Sequence, residues 1–287
     1  MVNYLKMDFK DTELFSAKRE PQDTTLLLTS GETATRFLQF HRIISGKYRY
    51  SDLPEFVKQP QSLTDYLLRL RNYAQANDQE QRGGIYVSCE NNALFILDRV
   101  VVGHFNPIDF VYESGPLAAI EGMYPITSIH SHPRHDQFIK KGATETQLRP
   151  SNLPSLDDLA QEATLGKFNP TSNTTRSSIV IGKSLAVLLC HTTDTPSRES
   201  LDQTHGGWAV SAIGNFLNEI EKEIAQGRPD LKDFEKRFLT IWKGCQNLKL
   251  GMYLIALKDI IETASIWVRF NPTPGNFEKA MLTLAPF

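Results

Sequence analysis

The chain has 287 residues, 40% of them hydrophobic and 22% charged, with a formal net charge of −2. That composition can bury a core, so wholesale disorder is excluded, and a near-neutral balance with no basic stripe excludes the usual electrostatics of a nucleic-acid binder. Three scattered cysteines, Cys89, Cys190 and Cys245, are too few for a disulfide framework or a thiolate zinc site. They point to a reducing, cytoplasmic location, and any metal must be held by nitrogen and oxygen.

In chain order, MVNYLKMDFKDTELF carries acidic residues where a signal peptide needs an apolar run, and no run of about 18 apolar residues follows that could span a membrane. TTLLLT (24–29) reads as a short strand. GETATRFLQFHRII has helical spacing, with Phe37, Phe40, Ile43 and Ile44 on one side. Leu63, Tyr66, Leu67, Leu70 and Tyr73 predict a helix over 62–77 with Ser62 as N-cap, ended by the polar ANDQEQRGG. GGIYVS (83–88) and ALFILDRVVVGHF (93–105) predict strands around a turn at ENN (90–92), and YPITSIHSH (124–132) predicts another. A polar loop over 133–153 leads to a helix in LPSLDDLAQEATLG (153–166). SSIVIG (177–182) and SLAVLLCHT (184–192) read as a hairpin around Gly182 and Lys183.

Beyond about residue 195, TDTPSRESLDQTHGG reads as a linker. Trp208, Ala212, Ile213, Phe216, Leu217 and Ile220 make one helical apolar face, and Leu231, Phe234, Phe238, Trp242 and Cys245 a second. The mixed charges of EIEKEI and DFEKR read as solvated helix faces. ASIWVRF and KAMLTLAPF are expected to add two strands. The mixture predicts an α+β chain divided into an N-terminal extension (1–60), a central domain (61–195) and a C-terminal helical region (196–287), the last available for protein–protein contacts.

The chemistry is concentrated in SIHSHPRHDQF (128–138). On a strand, His130 and His132 point to one face, and imidazoles at i and i+2 can hold one metal ion; Pro133 then ends the strand. A third ligand must come from where the chain folds back. PSLDDL supplies Asp157 and Asp158 at a helix start, where Ser155 followed by an acid also reads as an N-cap. Both readings can hold together, because a first-turn carboxylate is fixed rigidly beside free amides. His135 and Asp136 read as loop residues. His104, His191 and His205 read as structural or solvated, and His41 as a surface or core-edge residue of its helix.

HSHP followed by a serine and, three residues on, an aspartate resembles the signature of the JAMM (MPN+) zinc metalloproteases, best known as deubiquitinating isopeptidases. The resemblance covers roughly residues 62–195. It implies an α/β/α-layered fold, a mixed sheet flanked by helices, with additional N-terminal and C-terminal mainly helical elements. It also implies Zn2+ held by His130, His132 and, by the serine-to-aspartate spacing, Asp158 in place of Asp157. A water would take the fourth position, Ser155 would help stabilise the oxyanion, and an upstream glutamate would act on the water. That glutamate stands in the pattern E-x-x-G before a strand. EQRGGIYVS fits and assigns Glu80, whereas Glu90, Glu113 and Glu121 precede no glycine-rich strand start.

The chain departs from the family pattern twice. Its spacing of 25 residues between His132 and Asp158 is longer than usual, and Val87 and Ser88 stand where a second glycine is common. The substrates implied are conjugates of ubiquitin or a ubiquitin-like protein, with no nucleic acid or membrane involved. A zinc peptidase or amidase acting on another amide, and a non-catalytic scaffold, are the alternatives. The polar insertion at 134–153 lies between the two ligand elements and is expected to border the cleft and gate it.

Overall fold

In a computed structural model of the chain, the residues described are 25–29, 37–77, 81–88, 90, 93–97, 105–106, 111–112, 122–132, 137–138, 147–148, 153–165, 175–197, 200–201, 209–257 and 266–272. Strands are β1 (Thr25–Thr29), β2 (Phe56–Lys58), β3 (Gln81–Ser88), β4 (Leu94–Leu97), β5 (Phe105–Asn106), β6 (Val111–Tyr112), β7 (Met123–Ser131), β8 (Gln137–Phe138), β9 (Gln147–Leu148), β10 (Ser177–Ile181), β11 (Leu185–Cys190), β12 (Gly251–Ala256) and β13 (Ile266–Arg269). Helices are α1 (Leu38–Ile44), α2 (Gln61–Asn77), α3 (Leu156–Leu165), α4 (Ala209–Gly227) and α5 (Asp233–Leu248).

Among the described residues, nine strands form one sheet in the order β1-β4-β3-β7-β10-β11-β12-β13-β2. The pairing of β7 with β10 is parallel and the others are antiparallel, so the sheet is mixed and the class is α+β. SSIVI and LAVLLC are buried along their whole length, as central strands covered on both faces must be. Alternation divides their side chains. Ile179, Ile181, Ala186 and Leu188 join Phe40, Leu63 and Leu67 of α1 and α2 in one core. Val187 and Leu189 join Leu159 of α3, Ile213 and Leu217 of α4 and Phe238 of α5 in the other. Helices therefore cover both faces. On the second face they approach closely: a Cβ at Gly244 would lie 2.5 Å from Leu217 Cδ2 and 2.9 Å from Leu159 Cδ2.

Several expected elements differ in detail. α2 begins at Gln61, with the N–H groups of Leu63 and Thr64 donating to the Pro60 carbonyl, so Ser62 lies inside the first turn and is not its cap. Of the run 93–105, the described strand is Leu94–Leu97, while Phe105–Asn106 pairs separately with Val111–Tyr112. The polar stretch expected as loop contains a short ladder of Gln137–Phe138 with Gln147–Leu148. ASIWVRF supplies β13, and KAMLTLAPF lies outside the described residues. Two strands of the nine-stranded sheet have no counterpart in the sequence reading: β2, and β12, which pairs with β11 along its full length. The sheet thus draws strands from before residue 61 and from after residue 195. Among the described residues no helix is long and apolar enough to cross a membrane.

Candidate metal centre

β7 lies between β3 and β10, with His130 opposite Arg82 on one side and Val180 on the other. The His132 N–H donates to the Ile181 carbonyl at 2.8 Å, which extends the ladder past the end of β7. Strand alternation puts His130 and His132 on one face, their ring centroids 5.3 Å apart and their planes tilted by 38°. Val187, two ladders away from His130, belongs to the core formed with α3, α4 and α5, so both imidazoles point to the side of the sheet that α3 covers.

The chain leaves β7, forms α3 and returns as the parallel strand β10. A crossover helix in such a unit starts near the carboxyl end of the strand before it. That connection brings the first turn of α3 to the histidines despite the long intervening sequence. His130 Nε2 lies 3.4 Å from Asp158 Oδ1, and His132 Nε2 lies 3.6 Å from Asp158 Oδ2. Among the described residues, the ligand atoms of His130, His132 and Asp158 all lie within 4.8 Å of one another. These separations exceed those of good hydrogen bonds. The His130 Nε2 to Asp158 Oδ1 separation fits two ligands of one ion: zinc–nitrogen and zinc–oxygen bonds of about 2.0–2.2 Å at tetrahedral angles set neighbouring ligand atoms about 3.3–3.5 Å apart. The donor set, two imidazole nitrogens and a carboxylate, suits zinc. The side chains are mostly buried, with 10%, 11% and 19% exposed for His130, His132 and Asp158.

Ser155 holds Asp158 in place. Its backbone N–H and its hydroxyl both donate to Asp158 Oδ2, at 2.7 and 2.8 Å, and the Asp158 N–H donates back to Ser155 Oγ at 3.0 Å. This is a capping box in which the N3 acid is also the residue that faces the two histidines. With Oδ2 taking two hydrogen bonds, Oδ1 is the oxygen with lone pairs free for a cation. Burial disfavours the charge of Asp158, but His130 and His132 outweigh it and hold the carboxyl well below its ordinary range. The Ser155 hydroxyl is itself committed to Asp158 in this arrangement. Ser155→Ala is expected to cost about 0.5–2 kcal/mol in folding stability through the lost cap. It should also weaken zinc binding by roughly 10–100-fold. Chemical denaturation and a competitive zinc titration on the same protein measure both.

Glu80, Glu113, Glu121, His104, His135, Asp136 and His205 lie outside the described residues, and of Asp157 only the backbone is described. Glu80 is bonded to Gln81, the first residue of β3, whose partner across the ladder is Ser131, between the two histidines. Glu90 is exposed, and His41 is half-buried on α1. His191, read from the sequence as structural or solvated, is buried against Glu162 of α3. Glu162 drew no attention in the sequence, where it is one more acid in a charged helix. The signal available was its spacing of four residues from Asp158, which places both on one face of α3. Comparisons with protein-family models, with curated proteins and with solved structures find no match to this chain.

Proposed function

We propose that the chain is a zinc-dependent hydrolase of the JAMM type, cutting an amide bond after the C-terminal tail of ubiquitin or a ubiquitin-like protein. The observation that carries this reading is the approach of two strand-borne imidazoles and a helix-borne carboxylate to the spacing of ligands around a single ion. The layered arrangement of helices on both faces of a mixed sheet is compatible with that family's fold.

A bound zinc ion would polarise the scissile carbonyl and acidify a water near neutral pH. His130, His132 and Asp158 would hold it through two neutral nitrogens and one negative oxygen. Glu80 would take the proton of the attacking water and hand it to the departing amine. Ser155 keeps Asp158 oriented, and its hydroxyl can serve a developing oxyanion only by releasing Oδ2, which its backbone N–H continues to hold. The buried free thiols of Cys190 and Cys245 support a reducing, cytoplasmic setting.

The test is cleavage of ubiquitin dimers by the zinc-loaded protein. Cleavage is expected, is expected to stop on chelation, and is expected to return when zinc is restored. Dimers left intact by a protein that does hold zinc would move the substrate to another amide and leave the metal centre standing.

A further inference from the structure

One turn beyond Asp158 on α3, a second polar contact is sealed inside the protein. Glu162 and His191 are each 2% exposed. His191 Nε2 lies 2.5 Å from the backbone carbonyl oxygen of Glu162 and 3.6 Å from its carboxyl Oε1. A carbonyl oxygen only accepts, so Nε2 carries a hydrogen and donates it. Glu162 is among the last four residues of α3, whose carbonyls have no partner within the helix. His191 therefore caps the carboxyl end of α3, where a donor or cation is favoured.

The backbone of His191 is held from the sheet side. Its main-chain N–H donates to the Arg176 carbonyl at 2.9 Å, and Gly46 packs so closely that a Cβ there would lie 3.3 Å from His191 Cβ. Burial pushes the Glu162 carboxyl up to about 8, with the Ser178 hydroxyl working weakly the other way. The group is thus mostly neutral at pH 7, which suits a carboxyl in an apolar core. A serine, a histidine and a glutamate meeting in one place invite a nucleophilic reading. Their burial (Ser178 is 5% exposed) denies any substrate access.

α3 is consequently fastened at both ends, by Ser155 and Asp158 at its start and by His191 at its finish. Between them Leu156, Leu159, Ala160 and Ala163 contribute apolar contacts, which are strong but non-directional. Such packing settles which face of the helix is buried, but a ligand must be held to within about 0.5 Å, and Asp158 must stay near two imidazoles at once. We propose that His191 and Glu162 are positioning residues of the metal centre, a buried latch that sets the axial place and rotation of α3 and so the fit of Asp158 to His130 and His132. This rests on the metal-centre reading above.

The experiment titrates cobalt(II) and zinc(II) into metal-free full-length protein and records affinity, the cobalt visible spectrum and the thermal midpoint. His191→Ala is expected to lower affinity roughly 10–100-fold and to alter the cobalt spectrum. His191→Gln, whose amide N–H can reach the Glu162 carbonyl, is expected to restore most of both. Leu188→Ala, in the core on the opposite face of the sheet, should lower the midpoint while leaving affinity and spectrum unchanged. If His191→Ala does not fold, His191→Asn, an amide of shorter reach, takes its place with the same expectation. His191→Ala, or His191→Asn in its place, binding cobalt as tightly as wild type with the same spectrum overturns the latch alone. A wild type that takes up neither ion overturns the metal centre and the latch with it.

Discussion

His132→Ala is expected to yield a folded protein that no longer retains zinc through gel filtration. The backbone bond from the His132 N–H to Ile181 does not involve the side chain, and β7 remains paired to β3 and β10, so the sheet has no reason to open. Coordination is different. Three protein ligands suffice for a catalytic zinc site, and two rarely do. Removing one should cost more than the roughly 10–100-fold that follows loss of an outer-shell partner. Elemental analysis of wild type and variant, with far-ultraviolet circular dichroism for the fold, measures both halves. Stoichiometric zinc in His132→Ala would mean that the ion sits elsewhere.

The second large effect is expected at Glu80. Glu80→Gln keeps the size of the side chain and removes its capacity to take a proton, and Glu80 is not needed as a ligand if His130, His132 and Asp158 hold the ion. The variant should therefore bind zinc as wild type does and lose activity on ubiquitin dimers by about 10²–10⁴-fold, the usual contribution of a general base. The paired outcomes separate the two roles: metal and activity both disappear in His132→Ala, and activity alone disappears in Glu80→Gln. Full activity in Glu80→Gln would transfer the proton-handling role to another acid.

How much could be read before any fold was known varies by residue. His130 and His132 share a face because side chains alternate along a strand, a rule that operates within three residues. Ser155 and Asp158 form a capping box because the first turn of a helix exposes its amides, a rule that operates within four. Both were legible as local pattern. β12 was not: GMYLIA is a short apolar run directly after a helix, and periodicity cannot separate a buried strand from helix in so few residues. Its identity comes from the full-length ladder with β11, residues more than sixty positions away. Ser62 was misplaced by two residues because the chain turns into α2 on the Pro60 carbonyl, and a serine in the first turn looks like a serine before it.

Amino-acid order alone thus specified the donor types, the shared face of the two imidazoles and the anchoring of a carboxylate at a helix start, because each depends on neighbours a few bonds away. It could not say that these two pieces meet, since 25 residues lie between His132 and Asp158 and local rules do not span them. The parallel register of β7 with β10, which pairs Thr127 with Ser177 and His130 with Val180, settles that meeting by carrying α3 across the sheet between them. The contact of His191 with Glu162 has the same origin: a histidine after β11 and a glutamate in α3 become neighbours only when the helix lies down on the strands.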